Sequence, residues 1–183
     1  MSIETIVRVA ASVEPITLAE AKAQLRIETD FILDDAYINS LISMARARAE
    51  NYCNRFFTEQ QISILYDGST PLLINLKYPD LASIESVQYT DSDLTLQTIT
   101  PADYVVDLDR RRITFVNSPE ASIDYRVNAT TSAPVTFEGA KIAMLMMIAD
   151  MYDLRTESVT GLSVADNPAV LAAIYPYRVN LGI

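Results

Sequence analysis

The sequence predicts an α+β fold: a helical bundle of about four helices with an inserted antiparallel β-rich subdomain. Three observations carry the prediction. Apolar residues recur at helical spacing between Pro15 and Phe57. The chain then switches to short β-forming runs separated by turn residues between Gln61 and Val127. Helical spacing returns after Pro134. At 183 residues, half of them hydrophobic, the chain can bury a real core. It most simply forms one domain over 1–174, with helical parts at about 15–57 and 136–175 and the β-rich insertion at about 61–128. Residues 175–183 form an extended docking tail.

Taken in order, the amino terminus from Met1 to Val9 alternates like a strand and lacks the continuous apolar region of a signal peptide, so the protein is expected to be made and kept in the cytoplasm. Thr17 and Glu20 stand at the spacing of a capping box and fix a helix start, after which Leu18, Ala21 and Leu25 give one narrow apolar side. Asp34 and Asp35 open a second helix, where carboxylates suit the unpaired amides and the positive end of the dipole. Its stripe, Ile38, Leu41, Ile42, Ala45, Ala49, Tyr52, Cys53 and Phe56, follows the i, i+3, i+4, i+7 rule for about five turns. Arg46 and Glu50 lie off the stripe and can pair across one turn at the surface, an effect of a few tenths of a kcal/mol.

Strands are then expected at Gln61–Asp67, Leu72–Leu76, Ile84–Thr90, Leu94–Ile99, Tyr104–Asp107, Arg112–Val116 and Ser122–Val127, with a turn at Gly68–Pro71. Their short connections favour antiparallel pairing. Asp91 to Asp93 and Asp107 to Arg112 read as two hairpin tips. Both charge clusters are solvated turns on the plainer reading and subunit ion-pairing sites on the sharper one. Arg110, Arg111 and Arg112, preceded by Asp107 and Asp109, are only a weak signal for DNA contact.

Beyond Pro134, Thr136 can cap a helix to about Asp153 that has almost no polar face in its middle and must be surrounded, in part by the long second helix. Met144, Met146, Met147 and Met151 fit an adaptable packing surface there. A linker from Asp153 to Asp166 leads to Asn167 and Pro168, a cap and first helical position, and a brief helix from Ala169 to Ile174. Tyr175 should be extended, because Pro176 disfavours helix at its predecessor. The tail is aromatic and apolar, so it docks either on its own domain or on a partner.

Composition excludes more chemistry than it suggests. Ten net negative charges argue against gripping nucleic acid, because phosphate neutralisation needs clustered Lys and Arg. A single cysteine excludes an internal disulfide and suits a reducing compartment, and its place on the apolar stripe makes Cys53 a buried core thiol. With no His, the usual acid–base group, triad base and metal imidazole are missing. Asp67, Asp80, Asp107 and Asp109 sit near turns and match no Ca²⁺ loop. Only four glycines are present, which rules out a P-loop or a dinucleotide fingerprint. The expectation is therefore no catalytic residue, no cofactor and no metal. The apolar run from Lys141 is too short for the roughly 20 residues that span a bilayer.

Ile16 to Arg26, Asp34 to Arg46 and Ala49 to Arg55, in that order, resemble the head-to-tail connector or adaptor proteins of tailed bacteriophages and gene transfer agents. The resemblance continues through Ile84 to Tyr89, Pro101 to Asp107, Arg112 to Phe115 and Tyr175 to Arg178, which are similar to the larger members with a β-rich insertion. Arg126 to Ala133 departs from the Gly-rich segment that members often carry before the third helix. The resemblance implies a structural virion protein of the neck, at the head–tail interface. It would form a ring of identical copies, a dodecamer, under the portal protein and would carry the next head-completion, stopper or tail protein. Genomic DNA would pass through an acidic or neutral lumen without sequence-specific binding. It further implies portal contact through Tyr175, Tyr177, Arg178, Val179 and Leu181, and contacts to neighbouring subunits or the next ring through Asp91, Asp93, Asp109, Arg110, Arg111 and Arg112. A tail-terminator or other ring-forming completion protein is the structural alternative. A carboxylate-dependent hydrolase is the remote one, and it would need two converging acids roughly 5 to 9.5 Å apart that the sequence does not identify.

Overall fold

The computed structural model describes residues 3–67, 73–117, 123–134, 136–154 and 167–179. The class is α+β as predicted, with four α-helices and two antiparallel sheets among these residues. The chain divides into two compact units, one of Met1–Ser12 with Thr58–Ala133 and one of Val13–Phe57 with Pro134–Ile183.

The first unit holds the strands β1 (Ile3–Val9), β2 (Gln61–Asp67), β3 (Leu73–Asn75), β4 (Leu81–Thr90), β5 (Leu96–Thr98), β6 (Tyr104–Asp107), β7 (Arg112–Phe115) and β8 (Asp124–Thr131). Five form a sheet in the order β1-β2-β8-β4-β5 and three form a second in the order β3-β7-β6. Every pairing is antiparallel, as the short connections lead one to expect.

The last strand lies at the centre of the large sheet and runs four residues beyond the expected end at Val127. Its polar end is fully used. The Thr131 hydroxyl accepts from the Gln60 amide at 2.9 Å and donates to the Thr58 carbonyl at 2.8 Å, so a residue of turn-like composition is buried without an orphan group. Alternation then sorts the faces. Ile62, Ile64, Tyr66, Val87, Tyr125, Val127 and Ala129 are buried on one side, and the Phe115 ring of β7 lies 5.3 Å from Tyr125 to join the second sheet to that core. The opposite face is polar. Asn128 accepts from Ser63 at 2.6 Å and donates to Ser86 at 2.9 Å and Gln88 at 3.0 Å, tying three strands together.

The second unit contains α1 (Leu18–Leu25), α2 (Asp35–Cys53), α3 (Glu138–Asp153) and α4 (Pro168–Ile174), followed by a 3-10 turn at Tyr175–Tyr177. The expected capping box closes α1. The Glu20 amide donates to the Thr17 hydroxyl at 3.2 Å and the Thr17 amide donates to the Glu20 carboxylate at 2.9 Å. Ile38, Leu41, Ile42, Ala45, Ala49 and Cys53 of α2 are buried against Ala140, Ala143, Met144, Met147 and Ile148 of α3, so the long stripe meets the apolar third helix as expected. Asn167 caps α4 through the Ala169 amide, with Pro168 as the first helical residue.

Four expectations change. Asp34 makes no capping bond, because its carboxylate accepts the Tyr152 hydroxyl of α3 instead. Thr136 does not cap α3; Phe137 occupies that position, and the acceptor for the helix start comes from Tyr177. Arg46 and Glu50 are not a surface pair. Arg46 bonds Glu14 at 2.7 Å and Glu50 at 3.0 Å, and Glu50 also accepts the Phe57 amide at 2.9 Å, with both side chains nearly inaccessible. Tyr175 is helical, not extended, since Pro176 stands at the start of a 3-10 turn where its fixed φ fits.

Candidate functional site

The segment that follows α4 is built into its own unit by both backbone and side chains. The Val179 amide donates to the Cys53 carbonyl at 2.8 Å, the Asn54 side-chain amide donates to the Val179 carbonyl at 3.3 Å and the Arg55 guanidinium donates to the Tyr177 carbonyl at 3.4 Å. The first satisfies a carbonyl at the end of α2, where Asn54 takes the left-handed conformation at φ 53°, and the other two satisfy carbonyls of the segment itself. Tyr177 stacks edge-on against Phe57, centroids 6.4 Å apart, and its hydroxyl oxygen accepts the Gly139 amide at 3.1 Å. Arg178 lies over the Tyr52 ring at 5.3 Å.

Of the residues proposed to meet the portal, then, Tyr177 and Val179 are engaged internally. Tyr175 is 62 % exposed, and the guanidinium of Arg178 stands at the surface beside its ring contact. Leu181 lies outside the described residues. Cys53 sits beneath this segment, and burial pushes its thiol up to about 11 despite the opposing charges of Arg55 and Arg178. That makes it the inert core thiol the sequence indicates.

The two charged hairpin tips both belong to the β unit but to different sheets. At the β4–β5 tip, the Asp91 carboxylate accepts the amides of Asp93 and Thr95 at 3.0 and 2.9 Å and the Gln97 side chain at 3.0 Å, which holds its carboxyl below the usual range. Asp93 projects into solvent. At the β6–β7 tip, Asp107 accepts the Arg110 amide at 2.9 Å and lies 3.8 and 3.9 Å from the guanidinium groups of Arg110 and Arg112. Asp109, Arg110 and Arg111 are exposed. The β4–β5 tip is a self-satisfied turn, the β6–β7 tip leaves the buried Arg112 Nε without a hydrogen bond among the described residues, and both carry outward charge.

A third surface feature was not read from the sequence. Phe31, Ile32 and Leu33, between α1 and α2, are all exposed, Leu33 at 82 %. Their loop is fastened by Lys22, whose buried ammonium donates to the carbonyls of Thr29 at 3.2 Å and Phe31 at 2.8 Å and pairs with Asp35 at 2.6 Å. Lys22 stands one turn after Leu18 and one residue after Ala21, on the apolar stripe of α1, and that misplaced charge was the available signal.

No group of three or more Cys, Asp and Glu among the described residues could hold a metal ion, and no described helix is long and apolar enough to cross a membrane.

Residues 15–99 match the model of a family described as Phage gp6-like head-tail connector protein. No curated protein matches the chain. Three solved structures of gene transfer agent (GTA) particles contain a similar chain. In the virion of the native particle it is 18 % identical, with a TM-score of 0.69 over 98 % of this chain and 96 % of that one. The chain in the neck of an empty particle computed with C6 symmetry is also 18 % identical, with a TM-score of 0.68 at the same coverage. In the neck of the native particle computed with C12 symmetry it is 16 % identical, at 0.66 over the same shares. These likenesses establish a shared fold across nearly the full length, and the family match bears out the resemblance to head–tail connectors read from the sequence.

Proposed function

We propose that this chain is a structural head–tail connector of a virion neck, with no catalytic role. Copies assemble as a ring of twelve on the portal of the DNA-filled head, carry the next head-completion or tail protein, and let the genome pass through the lumen. The observation that carries this reading is the connector-family match over residues 15–99 together with a fold shared over 98 % of the chain with GTA neck components. The acidic net charge of −10 suits a channel past which DNA slides.

In this reading the post-α4 segment is the portal contact. Tyr175 and Arg178 face outward, while Tyr177 and Val179 hold the segment in register; Leu181 extends the same contact. Asp91, Asp93, Asp109, Arg110, Arg111 and Arg112 at the two β tips meet the neighbouring subunit or the next ring.

The test is to mix the full chain with the portal protein encoded at the same locus and to image the complexes by electron microscopy. Rings seated on the portal support the reading, and absence of any complex refutes it. Truncation after Ile174 is a poor probe of portal contact, because it also removes the Tyr177 and Val179 bonds that stabilise α2 and α3. Tyr175→Ala leaves those bonds in place, and undiminished portal affinity in that variant would dismiss the segment as the contact.

A further inference from the structure

We infer that neighbouring copies in the ring join edge to edge through the five-stranded sheet, with β1 of one copy lying against β5 of the next. The inference rests on the ring reading above and names the strands that make its subunit contact.

A rotationally closed ring needs two different, complementary patches on each subunit. The large sheet supplies such a pair, because β1 and β5 are its two outermost strands among the described residues and the outer side of each offers backbone donors and acceptors. Protection at these edges is partial, for β5 is only three residues long and β1 carries Glu4, Arg8 and a register shift between Val7 and Val9. β1 runs for seven residues without Pro or Lys, and β5 and its flanks from Thr95 to Thr100 contain no charge that would repel a neighbour in a chain of net charge −10. Exposed apolar side chains also sit at both rims.

The pairing registers place two of them on one face. Ile6 stands opposite Ser63, which stands opposite Asn128 and thus Ser86; Leu96 stands opposite Thr90, two and four residues along the same face from Gln88 and Ser86. Ile6 is 46 % and Leu96 42 % exposed, so a continuous sheet would bring the two rims' apolar residues together on that face. Val7, also exposed, stands opposite Ile62 on the other side of β1, whereas Val9, past the register shift, stands opposite Gln61 on the Ile6 side, and both would be covered by the same strand addition. An extended backbone partner satisfies the edge bonds and both sets of side chains at once, whereas a flat apolar surface would satisfy only one. Pairing of β1 with β1 would be isologous and close as a dimer, not a ring.

The experiment places cysteine in the full chain at Glu4 or Ile6 together with Leu96 or Thr98, assembles each of the four paired variants on the portal protein, oxidises them, and reads non-reducing gels beside electron micrographs. The native Cys53 is buried and stays out of the reaction. The expected result is a ladder of covalent multimers from at least one pair and monomers from every single-site variant. Rings without a ladder in any pair overturn the edge assignment and leave the ring reading standing. Covalent dimers from Ile6→Cys alone put β1 against β1 and also overturn it. If the unsubstituted chain makes no ring, the ring reading falls and this inference with it. A second variant, Ile6→Lys with Val7→Lys, should keep its melting temperature but lose rings; rings that persist count against the inference.

Discussion

The Tyr177 hydroxyl oxygen accepts the Gly139 amide at 3.1 Å, so a residue 38 positions downstream serves as the cap of α3. Four amides at a helix start have no partner within the helix, and Phe137 at the cap position has no side-chain acceptor to offer. Tyr177→Phe removes the acceptor alone and should cost about 1 kcal/mol. For a chain of this size that is a fall of about 2–4 °C in melting temperature. Gly139→Ala would bring a Cβ to 3.0 Å from the Tyr177 ring and hydroxyl, so the two positions are coupled. Calorimetry of both single variants and the double variant should show a combined cost smaller than the sum.

Lys22→Met should be among the most damaging single changes in the helical unit. The ammonium is buried and holds two carbonyls and the Asp35 carboxylate. Removing it leaves those acceptors unpaired, at a cost of about 3 kcal/mol. The loss should be read as a lower midpoint in urea and faster proteolysis at Phe31–Leu33, whose loop Lys22 fastens. Equal proteolysis rates would show that the loop does not depend on the lysine.

What the sequence made legible divides along the range of the interactions concerned. The Thr17–Glu20 box, the Asn167–Pro168 start and the α2 stripe are each decided within about one or two helical turns, so their residues are neighbours in the chain as well as in space. The errors at Asp34 and Thr136 share one cause. In each case a tyrosine hydroxyl more than 35 residues away, Tyr152 or Tyr177, replaces a local partner. Likewise, Arg46 and Glu50 look like a surface pair until Glu14 and the Phe57 amide close over them. The central place of β8 was equally hidden, since strand order depends on pairings between distant segments and not on composition. For the candidate site, the aromatic character of Tyr175–Arg178 was visible, but which of its rings faces inward depends on Phe57 and Gly139.

Cys53 should be unreactive in the native protein. Its thiol is buried and shifted up to about 11, so the thiolate that alkylating agents need is scarce at pH 8 and also inaccessible. Iodoacetamide labelling followed by mass spectrometry should proceed only as fast as the helical unit opens, and should reach the free-thiol rate in urea. Fast labelling without denaturant would contradict the packing of α2 under the Tyr175–Val179 segment.

Acid sensitivity should trace in part to Glu20, which the hydrogen bond from Lys141 at 2.6 Å and the Thr17 amide hold at about 2, below its ordinary 4.5. A carboxyl depressed by folding contributes stability that is complete above its unfolded value and lost as pH falls through its folded one. The window is therefore pH 4.5 down to about 2. Glu20 is 40 % exposed, and solvent screening limits the contribution to about 1 kcal/mol. Glu20→Gln keeps a side chain able to complete the capping box but deletes the charge. The melting temperature of this variant should lie about 2–4 °C below the unsubstituted protein at neutral pH. The difference should stay constant down to about pH 5 and close towards pH 2. Glu85, lowered by its hydrogen bond from Arg8, titrates in both proteins and drops out of the comparison. A difference that persists at pH 2 would assign the effect of Glu20 to packing and not to its charge.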